Sequence, residues 1–406
     1  MRIPVLAGVL CCALAVPAQA GHDLGRQVLP AGDGWASAGT GTTGGSNAPS
    51  VHVVRTADEL KVALQASAPR LVKVRGVVDL RADCAIYATG GYSLEAYLAA
   101  YDPEVWGRDR EPSGPLEDAR AASARNQAAA IALNVGDDTT IVGDGPGAGI
   151  TGGNLRVHGA HNVIIRNLTF RDTRDCFPQW DPTDGATGNW NSDYDSVSLN
   201  AATNVWVDHS TFTDQPKPAE TVHFGRPYEQ HDGLLDITNG SDLVTVSHNR
   251  FEDHGKTMLI GSSNTSTTDP GKLRVSVHHN VFRNVEERAP RVRFGQVHVY
   301  DNLYEAGPGY IYAWGVGVQS KIVAENNYLK GVPAENVIRH WGGTAITTRG
   351  NLVDGRKADI TAAFNAAHPD TPLATDAGWT PMYTRGLEPA HKVKHLRAGA
   401  QGGPAR

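Results

Sequence analysis

The sequence predicts an all-β chain folded as a single-domain parallel β-helix. One recurring eight-residue pattern and its spacing predict it. The pattern reads "VIIRNLTF" (163–170), "VWVDHSTF" (205–212), "VTVSHNRF" (244–251), "VSVHHNVF" (275–282), "VHVYDNLY" (297–304), "IVAENNYL" (322–329) and "ITTRGNLV" (346–353). Its first and third positions are mainly apolar and its last is apolar or aromatic. The sixth is asparagine in the final five copies: Asn249, Asn280, Asn302, Asn327 and Asn351. These asparagines are 31, 22, 25 and 24 residues apart, whereas Leu168, Ser210 and Asn249 at the same position are 42 and 39 apart.

A period in the low twenties, in a valine-rich chain with few helix-forming runs, marks a solenoid of stacked strands. Asparagine suits a corner because it tolerates left-handed backbone and bonds its neighbour's amide, so stacked copies form a polar ladder. A β-sandwich also has short strands, but they do not repeat one pattern at near-constant spacing. The two wider separations read as coils carrying inserted loops at 171–204 and 213–243. Long loops on a rigid scaffold are where function collects.

In chain order, Arg2, the apolar "VLAGVLCCALAV" and the small-residue "AQA" at Ala18–Ala20 read as a signal peptide over residues 1–20. The run is too short to span a bilayer and no later stretch is apolar enough, which predicts a secreted (extracellular or periplasmic) protein. Residues 21–50 are rich in glycine, serine and threonine and read as extended. "LVKVRGVVDL" (71–80) and "TTIVGDG" (139–145) read as early coils, with a helical excursion between them at 93–106 and 116–133. Residues 354–396 are expected to cover the end of the stack, making one domain over 21–396, with 397–406 a flexible tail.

Lysine plus arginine number 37 against 43 acids, a net charge of -6 that becomes -7 without Arg2. Such a chain is a poor polyanion binder, which argues against nucleic acid. An anionic ligand would need local basic groups or a cation to overcome the net field. Cys11 and Cys12 leave with the signal peptide. Cys84 and Cys176 either pair, closing a long loop for about 4–5 kcal/mol in the chain-entropy model, or stay reduced and buried. No oligomerisation signal stands out, so a monomer is expected.

The inserted loops carry the chemistry. "HDGLLDIT" places Asp232 and Asp236 four apart, but Gly233 and the following "NGSD" disfavour a helix, leaving them to converge in a loop. "WDPTDGATGNWNSDYDSVSL" adds Asp181, Asp184, Asp193 and Asp195, and its end reads as a strand that sets Asp195 beside Asp232 and Asp236. Converging carboxylates repel, and a hard divalent cation is the common remedy; otherwise such acidic loops only solvate a surface or cap strands. No EF-hand loop is present, and the histidines of "HHN" and "QHD" lack zinc-like spacing.

"DHGKTMLIGSS" (253–263) puts Lys256 on the next coil. "ERAPRVRFGQ" (287–296) then gathers Arg288, Arg291 and Arg293 around Pro290. Strict alternation would set Arg291 and Arg293 on the same face as Val297 and Val299, and arginines are rarely buried without partners. Either the chain bends at Phe294-Gly295 or these arginines face something negative. Cations beside carboxylates on adjacent coils suit an anionic ligand bridged by metal and held by lysine and arginine. An internal salt-bridge network accounts for the same residues equally well.

Together, "WNSDYDSVSL", "VWVDHSTFTD", "HDGLLDITNGSDLVTVSHNRF", "DHGKTMLIG" and "HHNVFRNVEERAPRVRFGQVHVYDNLY" resemble the pectate lyases of polysaccharide lyase family 1. The likeness runs from "TTIVGDG" through "YAWGVG" (312–317) and more weakly into "GWTPMY" (378–383). The resemblance implies a right-handed parallel β-helix that cleaves polygalacturonate by β-elimination with Ca2+. By the same resemblance, Asp195, Asp232 and Asp236 are the principal calcium ligands, and Asp184 supplies a carboxylate to additional calcium. Lys256 and Arg293 would bind substrate carboxylates, and Arg288 would be the catalytic base.

In that reaction the C5 proton is weakly acidic, because the neighbouring carboxylate is already negative. Calcium, Lys256 and Arg293 would stabilise the charge that develops. Crowding Arg288 against calcium, Lys256 and Arg293 would favour its neutral form, so an alkaline optimum is expected. Arg288 could instead stabilise charge while hydroxide or water takes the proton. The alternatives are a pectin lyase, in which basic residues replace the acidic ligands, a polygalacturonase, which needs paired acids around the scissile bond and whose usual motif set is not found here, and a non-catalytic polysaccharide-binding β-helix.

Overall fold

The computed structural model describes residues 23–215 and 220–400; the expected signal peptide at 1–20 and residues 401–406 of the expected tail lie outside the described residues. Three long sheets wind around one axis. Sheet I has ten strands, from Val51–Val54 through Thr203–Asp208, Asp242–Ser247, Val275–His278 and Gln296–Tyr300 to Ile346–Arg349. Sheet II also has ten, including Thr211–Thr213, Arg250–Lys256, Val281–Glu287 and Leu303–Glu305. Sheet III has eight, among them Asn154–His158, Val197–Asn200, Leu235–Thr238, Leu259–Ile260, Arg291–Val292, Trp314–Gly317 and Ile338–Trp341. The chain visits III, I and II in turn and climbs one rung per circuit, which is a parallel β-helix.

The repeat sets the register. Its first positions pair in one line, Val163, Val205, Val244, Val275, Val297, Ile322 and Ile346, and all are fully buried inside the coils. Its last positions stack as rings, Phe170, Phe212, Phe251, Phe282 and Tyr304, with centroids 4.9, 4.9, 5.1 and 4.8 Å apart. Like side chains therefore sit on like, and each coil buries an apolar face only because its neighbours exist.

The asparagine ladder is present, with one change of position. Each Asn Oδ1 accepts the backbone amide of the asparagine one coil earlier, from Asn249–Asn280 to Asn327–Asn351, at 2.9–3.0 Å. Ser210 continues the line by donating its amide to Asn249 Oδ1. The left-handed residue, however, is the one before the ladder position: His209 before Ser210, and His248, His279, Asp301 and Asn326 before their asparagines, have φ of 45–56°, and Gly350 before Asn351 67°. The asparagine itself is spent on side-chain bonding, which holds the corner open for its predecessor.

A helix at Ala57–Leu64 (α1) packs Leu60, Ala63 and Leu64 over the first coils behind a Thr56–Glu59 capping box. The excursion forms Leu94–Ala100 (α2), Pro103–Trp106 (α3) and Pro115–Ile131 (α4). Cys84 and Cys176 are disulfide-bonded across 92 residues, tying the excursion to the first inserted loop. At the far end Ile360–Ala367 (α5) buries Ile360 and Phe364. Only part of 354–396 covers that end. The rest runs back along the stack, where Trp379 meets Trp35 and Glu388 donates its amide to Asp301. Of 397–406, Gly399 and Ala400 donate their amides to His248 O and Thr211 Oγ1. Residues 23–50 lie on sheet I, where Ala36 and Trp35 bond Thr245 and Ser276. No described helix is long and apolar enough to cross a membrane.

Candidate active site

Both inserted loops run from sheet II to sheet III, so their ends deliver side chains to the entrance of successive sheet III strands. Asp195 precedes Val197–Asn200, and Asp232 precedes Leu235–Thr238. Asp236 lies within that second strand, opposite Ser198; alternation turns Leu235 into the core and Asp236 outward. Lys256 ends the strand that leads to Leu259–Ile260, and Arg288 and Arg293 flank Arg291–Val292. Four rungs thus grade from carboxylates to cations.

Asp195 accepts the Gly233 amide on Oδ1 at 3.0 Å and the Ser198 hydroxyl on Oδ2 at 2.7 Å. Asp236 Oδ1 accepts the Leu259 amide at 2.9 Å. Gly233 faces both acids: a Cβ there would lie 2.6 Å from Asp195 Oδ1 and 2.6 Å from Asp236 Oδ1. Two carboxylate oxygens therefore converge on the space that this glycine leaves clear. Burial, then Asp236 and Asp232, push the Asp195 carboxyl well above the usual range; burial and Asp232 raise that of Asp236. Asp232 turns toward Lys256, with Nζ 3.4 Å from its Oδ1. An all-oxygen donor set on two buried, mutually repelling acids fits a hard divalent cation such as calcium.

Among the described residues, the three-residue group whose ligand atoms all lie within 4.8 Å of one another is Asp208, His209 and His248, not the aspartate trio. Its chemistry fits a metal poorly. Asp208 already accepts from Arg166 at 2.8 Å and Ser247 at 2.9 Å. The two imidazoles stack at 4.7 Å with planes 7° apart and already direct Nδ1 at Asp208, His209 from 2.7 Å and His248 from 3.5 Å.

On the cationic side, Lys256 Nζ lies 2.8 Å from Glu229 Oε2. Burial opposes its charge, but Asp232 and Glu229 outweigh it, and its pKa is raised. Arg288 has left-handed backbone, φ 60°, and donates from Nε to Glu287 at 3.2 Å. Such backbone in a non-glycine residue is strained and clusters at functional sites. Its guanidinium is not shifted toward the neutral form. Burial works that way, but Glu287, Asp236 and Asp232 prevail and hold it charged. The expected crowding counted calcium and cations only, and these three carboxylates work against it.

Arg293 is held by the Gly261 carbonyl at 3.0 Å and Asn264 Oδ1 at 2.8 Å. Burial, then Arg288, lower its pKa. Among the described residues Arg291 pairs with no carboxylate; its Cζ lies 4.0 Å over the Trp341 ring. The chain does bend after these arginines, at Phe294 with φ 57°, and a Cβ on Gly295 would meet Leu273 O at 2.6 Å. Asp184 sits exposed in the turn between Gln179–Asp181 and Asn189–Asn191. Among the described residues it makes no side-chain hydrogen bond or ion pair to the cluster.

Sequence reasoning missed Glu229, Glu287 and the pair Asp214–His254. The signals were present, Glu229 three residues before Asp232 and His254 two before Lys256, but nothing local says which way they face. A cleft of about 270 Å³ is lined by Lys256, Glu229, Glu286, Glu287, Glu220 and Arg226, among others. A larger one, about 550 Å³, lies where sheet III turns into sheet I, beside Lys272, Gln319 and Lys321. None of the candidate side chains lines it.

A family model described as pectate lyase matches residues 114–385. A pectate lyase of Bacillus subtilis (strain 168) is 41% identical over 416 residues, covering 97% of each chain. The structure of a thermostable pectate lyase superposes with a TM-score of 0.90 at 41% identity, covering 94% of this chain and 99% of that one. A pectate lyase bound to a hexasaccharide superposes with a TM-score of 0.88 at 41% identity, covering 93% and 99%. With a family model over most of its length and a relative matched nearly end to end, this chain belongs to the pectate lyases of polysaccharide lyase family 1 and is an enzyme of that activity.

Proposed function

We propose that the enzyme is a secreted, calcium-dependent monomer that cleaves polygalacturonate by β-elimination to 4,5-unsaturated oligogalacturonides. One observation carries the reading: Asp195 and Asp236 converge beside Gly233, with Asp232 on the same rung as Asp236 and Lys256 and Arg288 on the rungs that follow. In this reading Asp195, Asp232 and Asp236 hold Ca2+, and Asp184 serves additional calcium at the groove edge. When bound, the ion would neutralise the acids and stabilise negative charge on a substrate carboxylate.

Lys256 and Arg293 pair with substrate carboxylates and fix the sugar in place. Arg288 receives the C5 proton; the C5–H electrons form the C4–C5 double bond, and the C4–O bond breaks with its electrons on the leaving oxygen, which is then protonated. Because Glu287, Asp236 and Asp232 hold Arg288 charged, it needs those carboxylates neutralised and an alkaline medium before it can accept a proton. Residues 1–20 act as the leader in this reading.

The test is incubation with polygalacturonate, with and without a calcium chelator, followed by ultraviolet absorbance of unsaturated product. Chelator-sensitive absorbance is expected. Chelator-insensitive product on methyl-esterified chains would assign a pectin lyase, saturated reducing ends a hydrolase, and no cleavage a binding protein.

A further inference from the structure

We infer that His254 is a positioning residue that sets the metal-ligand loop and the substrate lysine at a fixed separation; the inference rests on the proposed roles of Asp232 and Lys256. His254 is 4% exposed, and its ring sits between two rungs. Nε2 lies 2.7 Å from the Asp232 carbonyl and 2.9 Å from the Lys256 carbonyl. Carbonyls only accept, so Nε2 carries a proton and donates to both. Nδ1 lies 2.5 Å from Asp214 Oδ2, and Asp214 is 2% exposed.

One N–H thus clasps the backbone of two functional residues from different rungs, and a buried carboxylate fixes the ring that bears it. The clasp sits where the sheet is thin. Val197–Asn200 and Leu235–Thr238 share four register pairs, but Leu235–Thr238 and Leu259–Ile260 share only Ile237 with Ile260. Gly233 and Lys256 form an isolated bridge beside it. A short ladder leaves the approach of Asp232 to Lys256 to local bonds, and His254 supplies two of them. Outer partners of this kind orient the groups that touch metal and substrate.

The discriminating pair is His254→Gln and His254→Asn. A glutamine amide reaches the place of Nε2 and keeps the donor to the carbonyls; an asparagine amide reaches only the place of Nδ1. Calorimetric calcium titration and the split between KM and kcat on polygalacturonate are the readouts, with thermal unfolding alongside. His254→Asn is expected to weaken calcium binding about 10–100-fold and to raise KM, while His254→Gln stays near wild type. Wild-type calcium affinity in a folded His254→Asn would overturn the inference. So would equal losses in both variants matched by equal losses of thermal stability. If His254→Asn does not fold, Asp214→Asn is read by the same titration, and unchanged affinity there overturns it. Failure of the site reading itself would show in the wild type, as an absence of calcium binding.

Discussion

The Lys256 ammonium lies 2.8 Å from Glu229, so the lysine proposed to meet substrate already holds a carboxylate. An incoming uronate must displace that partner. Glu229→Gln is expected to lower KM about two- to fivefold at low ionic strength, the worth of a modest ion pair, and less at high salt. Initial rates across substrate concentration check this; an unchanged or raised KM would remove Glu229 from competition for the lysine.

Gly233→Ala would place a methyl group 2.6 Å from Asp195 Oδ1 and Asp236 Oδ1. Calcium affinity is expected to fall about 10–100-fold, the usual effect of disturbing a ligand's support, with activity following it. Folding should survive, because no left-handed backbone is required there. Calcium titration and circular dichroism separate the two effects, and full calcium binding would show that the ion sits elsewhere.

Arg288→Lys keeps a cation near Asp236 but loses the planar fork. Turnover is expected to drop about a hundredfold or more, the share usual for a proton-transfer group, at every pH. Near-normal turnover across the pH range would leave Arg288 with no assigned role in proton removal.

Asp301 is fully buried at a left-handed corner, and burial pushes its carboxyl up to about 8. An acid whose folded-state pKa is raised stabilises fully below its ordinary value of 3.8, and that contribution is lost as pH climbs through about 8. Asp301→Asn keeps an acceptor for the Glu388 amide and cannot ionise. Its melting temperature should match wild type near pH 4 and exceed it by several degrees near pH 9 (a few degrees per kcal/mol for a chain this size). Scanning calorimetry at both pH values would show it, and a variant less stable at pH 9 would contradict the burial argument.

Asn302 donates to the Val277 carbonyl at 2.9 Å and to Asn327 Oδ1 at 3.0 Å, and accepts the Asn280 amide at 2.9 Å. Asn302→Ala orphans buried groups at about 1–3 kcal/mol each. A lower unfolding temperature with normal turnover at room temperature is expected. Loss of activity in a fully folded variant would mean that the ladder reaches the site.

The stacking of coils was legible because every coil must bury the same positions: the line from Val163 to Ile346 and the rings from Phe170 to Tyr304 are periodic in sequence since they are periodic in space. Asp195, Asp232 and Asp236 were legible as residue types at the ends of inserted loops, and Lys256 and Arg288 as cations on the coils that follow. The charge state of Arg288 was not, because Glu287 lies beside it in sequence while Asp236 and Asp232 reach it only across rungs. His254 was hidden for the same reason, its partners Asp214 and Asp232 being 40 and 22 residues away.

By itself, then, the sequence determined the parallel β-helix and the loops that bear its chemistry, since a repeating burial pattern and a local motif are both properties of chain order. The tertiary structure alone decided which carboxylate faces which cation, because Coulomb energy depends on distances set by coil stacking and loop closure. Chain order does not encode those distances.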